Sequence, residues 1–249
     1  MFISWFYKLF SCLCRALGLT YSYSLDGEDS ILLKYLIGIK NGFYLDVGSH
    51  KPVKSSNTFL FYTLGWKGIC IDPLPTLKKP YSLTRSRDLF INAGIVSSEL
   101  KVQPKLDFYF YKKYPDNSTF DPVRVEQLKK LFSRFPTKKI SVPLITVENM
   151  LTAGSQKFGK ICDFHLLNLD TEGFEKSILK DFFSLKIYPW IICVEDLGKT
   201  VSDLDTSDLH NLMTEEDYIL GAKTFLTSIY VRKEKLSEFP SPFVRELIT

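Results

Sequence analysis

A chain of 249 residues with 45% hydrophobic content and 14% aromatics can bury a full core, which argues against disorder and fits one large α/β domain with additions. The formal net charge of +4 is spread over interleaved acids and bases, so charge gives no reason to expect a nucleic-acid partner. Five cysteines is an odd count, and Cys70, Cys162 and Cys193 fall inside apolar runs that read as central strands; this suits a reducing compartment and no metal cluster.

The chain divides into a segment of residues 1–20 and a domain of residues 21–249. In MFISWFYKLFSCLCRALGLT, Lys8 and Arg15 interrupt the apolar run, so no uncharged stretch is long enough to span a bilayer. On a helix, Ser4, Lys8, Ser11 and Arg15 form one narrow polar stripe, while Phe2, Trp5, Phe6, Leu9, Phe10, Leu13 and Leu17 cover the rest. That amphipathic pattern suits a helix lying in the headgroup boundary, and equally one packed on the domain's own core. A signal sequence would place its charge before the apolar stretch, whereas Lys8 stands in the middle of it. The expected location is cytoplasmic, peripheral on the inner face of the membrane if the helix meets lipid.

From Glu28 the elements alternate. Glu28 to Ile39 has helical spacing, Phe43 to Val47 reads as a strand, Thr58 to Leu64 as a helix and Gly68 to Asp72 as a second strand. Leu89 to Val96 reads as a third strand. Leu106 to Tyr111 and Ile140 to Val147 are β-like and flank a helical stretch near Val123 to Phe132. Phe164 to Asp170 is a fourth core strand, Lys176 to Leu185 a helix and Trp190 to Glu195 a fifth strand. Asp217 to Ala222 and Thr227 to Arg232 are close enough to form an antiparallel pair. The pattern predicts a mostly parallel, Rossmann-like sheet closed by an antiparallel edge hairpin.

In such a sheet, ligands sit outside the carboxyl ends of the strands. Those ends are rich in acids: Asp46, Asp72, Asp170 with Glu172, and Glu195 with Asp196. The loop in FYLDVGSHKPVKSSNT, residues 43–58, has the strand-to-helix entry of a nucleotide-binding unit but keeps one glycine, Gly48, where a dinucleotide fingerprint wants three. A pyrophosphate is therefore not its expected ligand. Asp72 lies 26 positions after Asp46, near the separation of about 20 usual for an acid that accepts from ribose hydroxyls. Many strand-end acids are only helix caps.

The series SLDGED (24–29), GFYLDVG (42–48), SNT (56–58), GWKGICIDP (65–73), NAGI (92–95), NLDTEGFE (168–175), VED (194–196) and AKT (222–224) resembles the FkbM family of methyltransferases, in order from about Tyr21 to about Arg232. The resemblance implies a class I methyltransferase fold, S-adenosylmethionine as cofactor, and O-methylation of a sugar or other natural-product hydroxyl. Carried over by position, it places Asp46, Gly48 and Ser49 at the methionyl part, Asp72 at the ribose, and Asn92 with Ala93 at the adenine edge. It makes Glu28 and Asn57 second contacts. Where many members have a small residue and Asn after the glycine, this chain has Ser49-His50. Asn57 also suits a helix N-cap, and Glu28 an ordinary first-turn acid.

Methyl transfer to a hydroxyl needs in-line geometry and gains from a base that takes the proton. The candidates are His50, Asp170, Glu172 and Glu195. His50 has the best intrinsic pKa at neutral pH, whereas Asp170 and Glu172 leave the central strand. A metal shared by Asp170 and Glu172 would need the turn at Gly173 to bring them together, and none is required. His165 reads as a core histidine, and His210 lies in a surface helix without an evident partner. Two other classes stand beside this reading: a nicotinamide dehydrogenase, which should show a fuller glycine loop, and a binding protein on an inactive scaffold, which should have lost the glycine or the strand-end acids. The segment 112–138, mixing aromatic and basic residues, is expected over the cleft and suits sugars or anionic groups.

Overall fold

A computed structural model describes residues 21–99, 104–114, 117–171, 173–196 and 207–240, with residues 9–10, 13–14, 16–18, 200 and 202–203. The elements run α1 (Glu28–Leu36), β1 (Phe43–Val47), α2 (Phe59–Thr63), β2 (Lys67–Ile71), α3 (Lys78–Thr84), β3 (Leu89–Ile91), β4 (Gly94–Ile95), β5 (Lys105–Phe110), α4 (Pro122–Phe132), β6 (Lys138–Ile145), α5 (Val147–Phe158), β7 (Leu166–Leu169), α6 (Glu175–Ser184), β8 (Ile191–Glu195), α7 (Asp208–Glu215), β9 (Tyr218–Lys223) and β10 (Thr227–Arg232). Seven strands form one sheet in the order β3-β2-β1-β7-β8-β10-β9. In it β3, β2, β1, β7 and β8 pair in parallel, and β10 runs antiparallel to both β8 and β9. The strand order turns back between β1 and β7, so the crevice at their carboxyl ends is where this topology places a ligand.

The central strands are apolar on both faces because both are covered. Tyr44, Cys70, Leu166 and Cys193 face one core with Phe59 and Trp66, while Leu45, Ile69, Leu167 and Ile192 face the other with Met150 and Phe182. Aromatics fill the first core, and a stair of edge-on rings carries it outward: Phe59 to Tyr23 at 4.8 Å, Tyr23 to Tyr21 at 4.7 Å, Tyr21 to Phe10 at 5.2 Å. In the N-terminal segment, Leu9, Phe10, Leu13 and Leu17 are exposed and Cys14 is buried. The expected polar stripe of Ser4, Lys8, Ser11 and Arg15 lies outside the described residues. No helix among the described residues is long and apolar enough to cross a membrane.

Three expectations need correction. The run Leu89 to Val96 is two strands: β3 joins the main sheet, and β4 pairs with β6 in a separate sheet of order β4-β6-β5. A turn divides them because the Asn92 side-chain amide donates to the Asp72 carbonyl at 2.9 Å and the Ala93 amide folds back onto the Ile91 carbonyl at 3.2 Å. The strand expected to reach Val147 ends at Ile145, since the Thr146 hydroxyl accepts from the Asn149 amide at 3.3 Å and caps α5. Cys162 is exposed and precedes β7 instead of lying within a strand.

Candidate functional site

A cavity of about 410 Å³ opens at the carboxyl ends of β1, β2, β7 and β8. Its floor begins where β1 becomes a loop. Gly48 sits at φ 78°, and a Cβ there would overlap the Asp170 carbonyl oxygen, so only glycine lets the β1 loop pass the end of β7. The Gly48 and Ser49 amides both donate to the Ile71 carbonyl, at 3.0 and 2.9 Å, which ties the loop to β2. The next residue, His50, also has positive φ, and its amide donates to Asp72 Oδ2 at 2.9 Å.

Asp72 accepts a second backbone bond, from Leu74 at 2.8 Å. Burial nonetheless outweighs these two donors and pushes its carboxyl up to about 7. Asp46, at the end of β1, is more thoroughly engaged. It accepts from Thr58 Oγ1, from Asn168 Nδ2 at 2.9 Å, and lies 3.6 Å from Arg85 Nη1. Burial still raises its pKa. Asn57 donates to Asn168 Oδ1 at 2.8 Å, so Asn57, Asn168 and Asp46 form one relay beneath the cavity. Asp46 and Asn57, assigned to the cofactor by resemblance, thus line the cavity with polar atoms already bonded to the protein.

The support of this floor is Arg85, which sequence reading overlooked. It is buried, with Nε on Asp88 at 2.7 Å, Nη2 on Thr58 Oγ1 at 2.9 Å, and Nη1 on Ser56 Oγ at 3.3 Å and the Pro52 carbonyl at 3.4 Å. The rings of Tyr44, Phe59, Tyr62 and Tyr81 surround its guanidinium. Tyr81 in turn donates to the Ser49 carbonyl at 3.1 Å. Arg85 and Tyr81 therefore hold the loop of residues 49–58 from below. In the sequence LTRSRD, residues 83–88, Arg85 looks like an ordinary solvated group, and no spacing marks it.

Glu28 enters from α1. It is buried on the cavity wall, accepting from Thr224 Oγ1 at 2.9 Å and from the Asp26 amide at 3.0 Å. Its neighbour Asp29 turns away to bind Ser22 Oγ, Ser24 Oγ and the Tyr23 amide. Ala93 is on the wall, whereas the Asn92 side chain is spent on the Asp72 carbonyl. Ser49 is buried, and its Oγ has no hydrogen-bond partner among the described residues.

Across the cavity stands a carboxyl pair. Leu169 and Val194 are partners in the β7–β8 ladder, which brings the following residues, Asp170 and Glu195, side by side. The two side chains hydrogen-bond to each other. Asp170 is exposed toward the cavity, and desolvation by the protein around it, then the Glu175 charge, raises its pKa above the ordinary carboxylate range. Glu175 itself accepts from the Thr171 and Gly173 amides at 2.8 and 3.0 Å and shapes the turn after β7. Glu172 lies outside the described residues. His50 is on the wall as well. His165 is a core residue, between Trp66 and Trp190, with Nδ1 accepting from the Phe43 amide at 3.2 Å and its pKa lowered by burial. His210 has a partner after all, Tyr230 Oη at 3.2 Å. No group of three acids, histidines or cysteines among the described residues is arranged to hold a metal.

The roof comes from the segment between β4 and β6. Phe108, Ser118, Thr119, Phe120 and Arg124 close over the floor. The arrangement is a strand-end cradle at the switch point, floored by one required glycine and walled by carboxyls. Comparison with curated proteins and with solved structures finds no match. A family model described as the methyltransferase FkbM domain matches residues 46–220, from Asp46 near the end of β1 into β9. With that match over more than half of the chain, on a sheet of this order, the chain belongs to the FkbM methyltransferase family.

Proposed function

We propose that the protein uses S-adenosylmethionine to methylate a hydroxyl group, with a sugar or glycan as the acceptor. The observation that carries this reading is the acid-rich cavity wall: five carboxyls, Glu28, Asp46, Asp72, Asp170 and Glu195, line it with one guanidinium, Arg124. Such a wall suits a ligand that brings a cation, an ammonium and ribose hydroxyls, and would repel a pyrophosphate. The residues fit that molecule. Asp72 would accept from the ribose, Gly48 and Ser49 with Asn57 nearby would border the methionyl end, and Ala93 would lie against the adenine. When bound, the cofactor supplies an electrophilic methyl group on a sulfonium.

The chain's own work is orientation and proton handling. Asp170 and Glu195 share a proton across their hydrogen bond, and as a singly charged pair they can take another from an acceptor hydroxyl. His50 is the other wall residue able to do so at neutral pH. The roof aromatics Phe108 and Phe120 offer flat apolar faces that suit a sugar ring. A cytoplasmic enzyme held to the inner membrane face through residues 1–20 would meet lipid-linked glycans. Flotation of the full-length protein with anionic liposomes, lost on removal of residues 1–20, checks that part.

Titration calorimetry with S-adenosylmethionine and NAD tests the core of the reading. Binding of S-adenosylmethionine alone is expected. Binding of NAD in its place would point to hydride chemistry, and binding of neither to an inactive scaffold.

A further inference from the structure

Where the cavity opens between α4, the turn after β7 and the end of β8, charged groups crowd the rim, and nearly all of them are occupied. A second, shallower cavity of about 390 Å³ adjoins the first, and Arg124 and Glu195 are on the walls of both. Around it, Lys176 pairs with Asp208 at 3.0 Å, Asp196 accepts from Ser228 Oγ at 2.9 Å, Glu175 binds the turn amides, and Glu195 binds Asp170. Arg124 differs. It is partly buried in the first turn of α4, a helix started by Asp121, whose side chain accepts from the Val123 amide at 2.8 Å. Its guanidinium makes no hydrogen bond or ion pair among the described residues, although its charge reaches the Tyr111 phenol.

A guanidinium offers five donors in a planar fork whose best complement is a carboxylate, sulfate or phosphate. Leaving such a fork partly desolvated and unpaired costs free energy that a ligand oxyanion would recover. Arg124 lines both cavities, and the outer one includes none of Gly48, Ser49, Asp72 or Ala93, so the fork also borders a space that the proposed cofactor contacts do not line. We propose that Arg124 selects the acceptor: it binds an oxyanion carried by the acceptor in the outer cavity, so that the hydroxyl to be methylated faces the Asp170–Glu195 pair. The inference rests on the methyltransferase reading above. The acid-lined inner cavity repels the same oxyanion, so attraction at Arg124 and repulsion further in together set one direction of entry.

The test is calorimetric titration of protein saturated with S-adenosylhomocysteine, using glucuronate, glucose 6-phosphate and glucose as probes. At least one charged sugar should bind about 10-fold or more tightly than glucose, and the two charged arms distinguish carboxylate from phosphate. Arg124→Gln should erase the preference, Arg124→Lys should keep part of it, and both should bind S-adenosylmethionine within about twofold of the parent. Charged sugars that bind no better than glucose overturn the proposal. So does an Arg124→Gln variant that loses affinity for S-adenosylmethionine while keeping the sugar preference, because the fork would then hold the cofactor's own carboxylate. A parent protein that binds no S-adenosylmethionine fails at the earlier step and overturns both readings together.

Discussion

The floor and the roof of the cavity use charge in opposite ways. In the floor, Arg85, Asp46 and Asp88 are buried together and bonded to Thr58, Ser56 and Asn168, so each polar group depends on the others. In the roof segment, Lys129 pairs with Glu126 and Lys139 with Asp107 on the surface, and Leu131, Phe132 and Phe135 are exposed. A buried network fixes one geometry because breaking it strands a desolvated charge, whereas a solvated pair is screened and replaceable. The floor is therefore built to hold one ligand in one place, and the roof can change its surface without unfolding the domain.

The largest expected effect follows directly. Arg85→Met removes the positive partner of two buried carboxylates and should cost about 3 to 5 kcal/mol in urea denaturation. Lys139→Ala, in the roof, should leave the denaturation midpoint unchanged. Similar midpoints for the two variants would mean that the floor network contributes no more than a surface pair.

Chemistry separates the two walls of the cavity next. Asp170→Asn keeps the shape of the β7 end but removes a carboxyl from the proton-sharing pair, so turnover should fall on the order of 100-fold while S-adenosylmethionine binding persists. Near-normal turnover would move the proton to His50 or Glu172, or leave catalysis to positioning alone.

Asp72 gives a smaller effect with a definite sign in pH. Its folded pKa of about 7 lies above the ordinary unfolded value of about 3.9, so the folded state holds this proton more tightly. The stability it contributes is present at low pH and drains away as pH rises from about 4 to about 7. Cofactor affinity should run the other way, since the ionised carboxylate is the better acceptor for ribose hydroxyls. Calorimetry at pH 6 and pH 8 should show tighter binding at pH 8, by up to about 10-fold. Asp72→Asn should flatten that dependence and weaken binding at pH 8 by about 10-fold or more. A variant that keeps the pH dependence would assign it to another wall group.

The strands that carry the site could be read in the sequence because each is a short apolar run that ends in an acid, and burial on both faces demands that composition. What could not be read depends on contacts between distant parts of the chain. The break at Asn92 is fixed by the carbonyl of Asp72, 20 positions earlier, and Asn92 with Gly94 gives only a weak local turn signal inside the apolar run. Arg85 is hidden for much the same reason: apart from Asp88, its polar partners come from β1 and the loop that follows it, and a basic residue near a helix end ordinarily belongs to the surface. The α5 helix was missed because β-branched residues run up to its Thr146 cap, so the strand signal carries on past its actual end.

The smallest effect concerns a floor hydroxyl that the network leaves out. Ser49 Oγ is buried without a hydrogen-bond partner among the described residues, beside a loop whose other polar groups are tied to Ile71, Asp72 and Tyr81. A buried unsatisfied hydroxyl costs about 1 to 3 kcal/mol, so Ser49→Ala should stabilise the ligand-free protein by roughly 1 kcal/mol and raise its Tm by about 2 to 4 °C. If the hydroxyl turns toward the methionyl end when the cavity fills, the same change should weaken S-adenosylmethionine binding by less than about 10-fold. Stability gained and affinity lost in one variant would mark Ser49 as a group kept for its ligand. A lowered Tm would show instead that water or a neighbour satisfies the hydroxyl in the free protein, and Ser49 would then belong with the bonded floor.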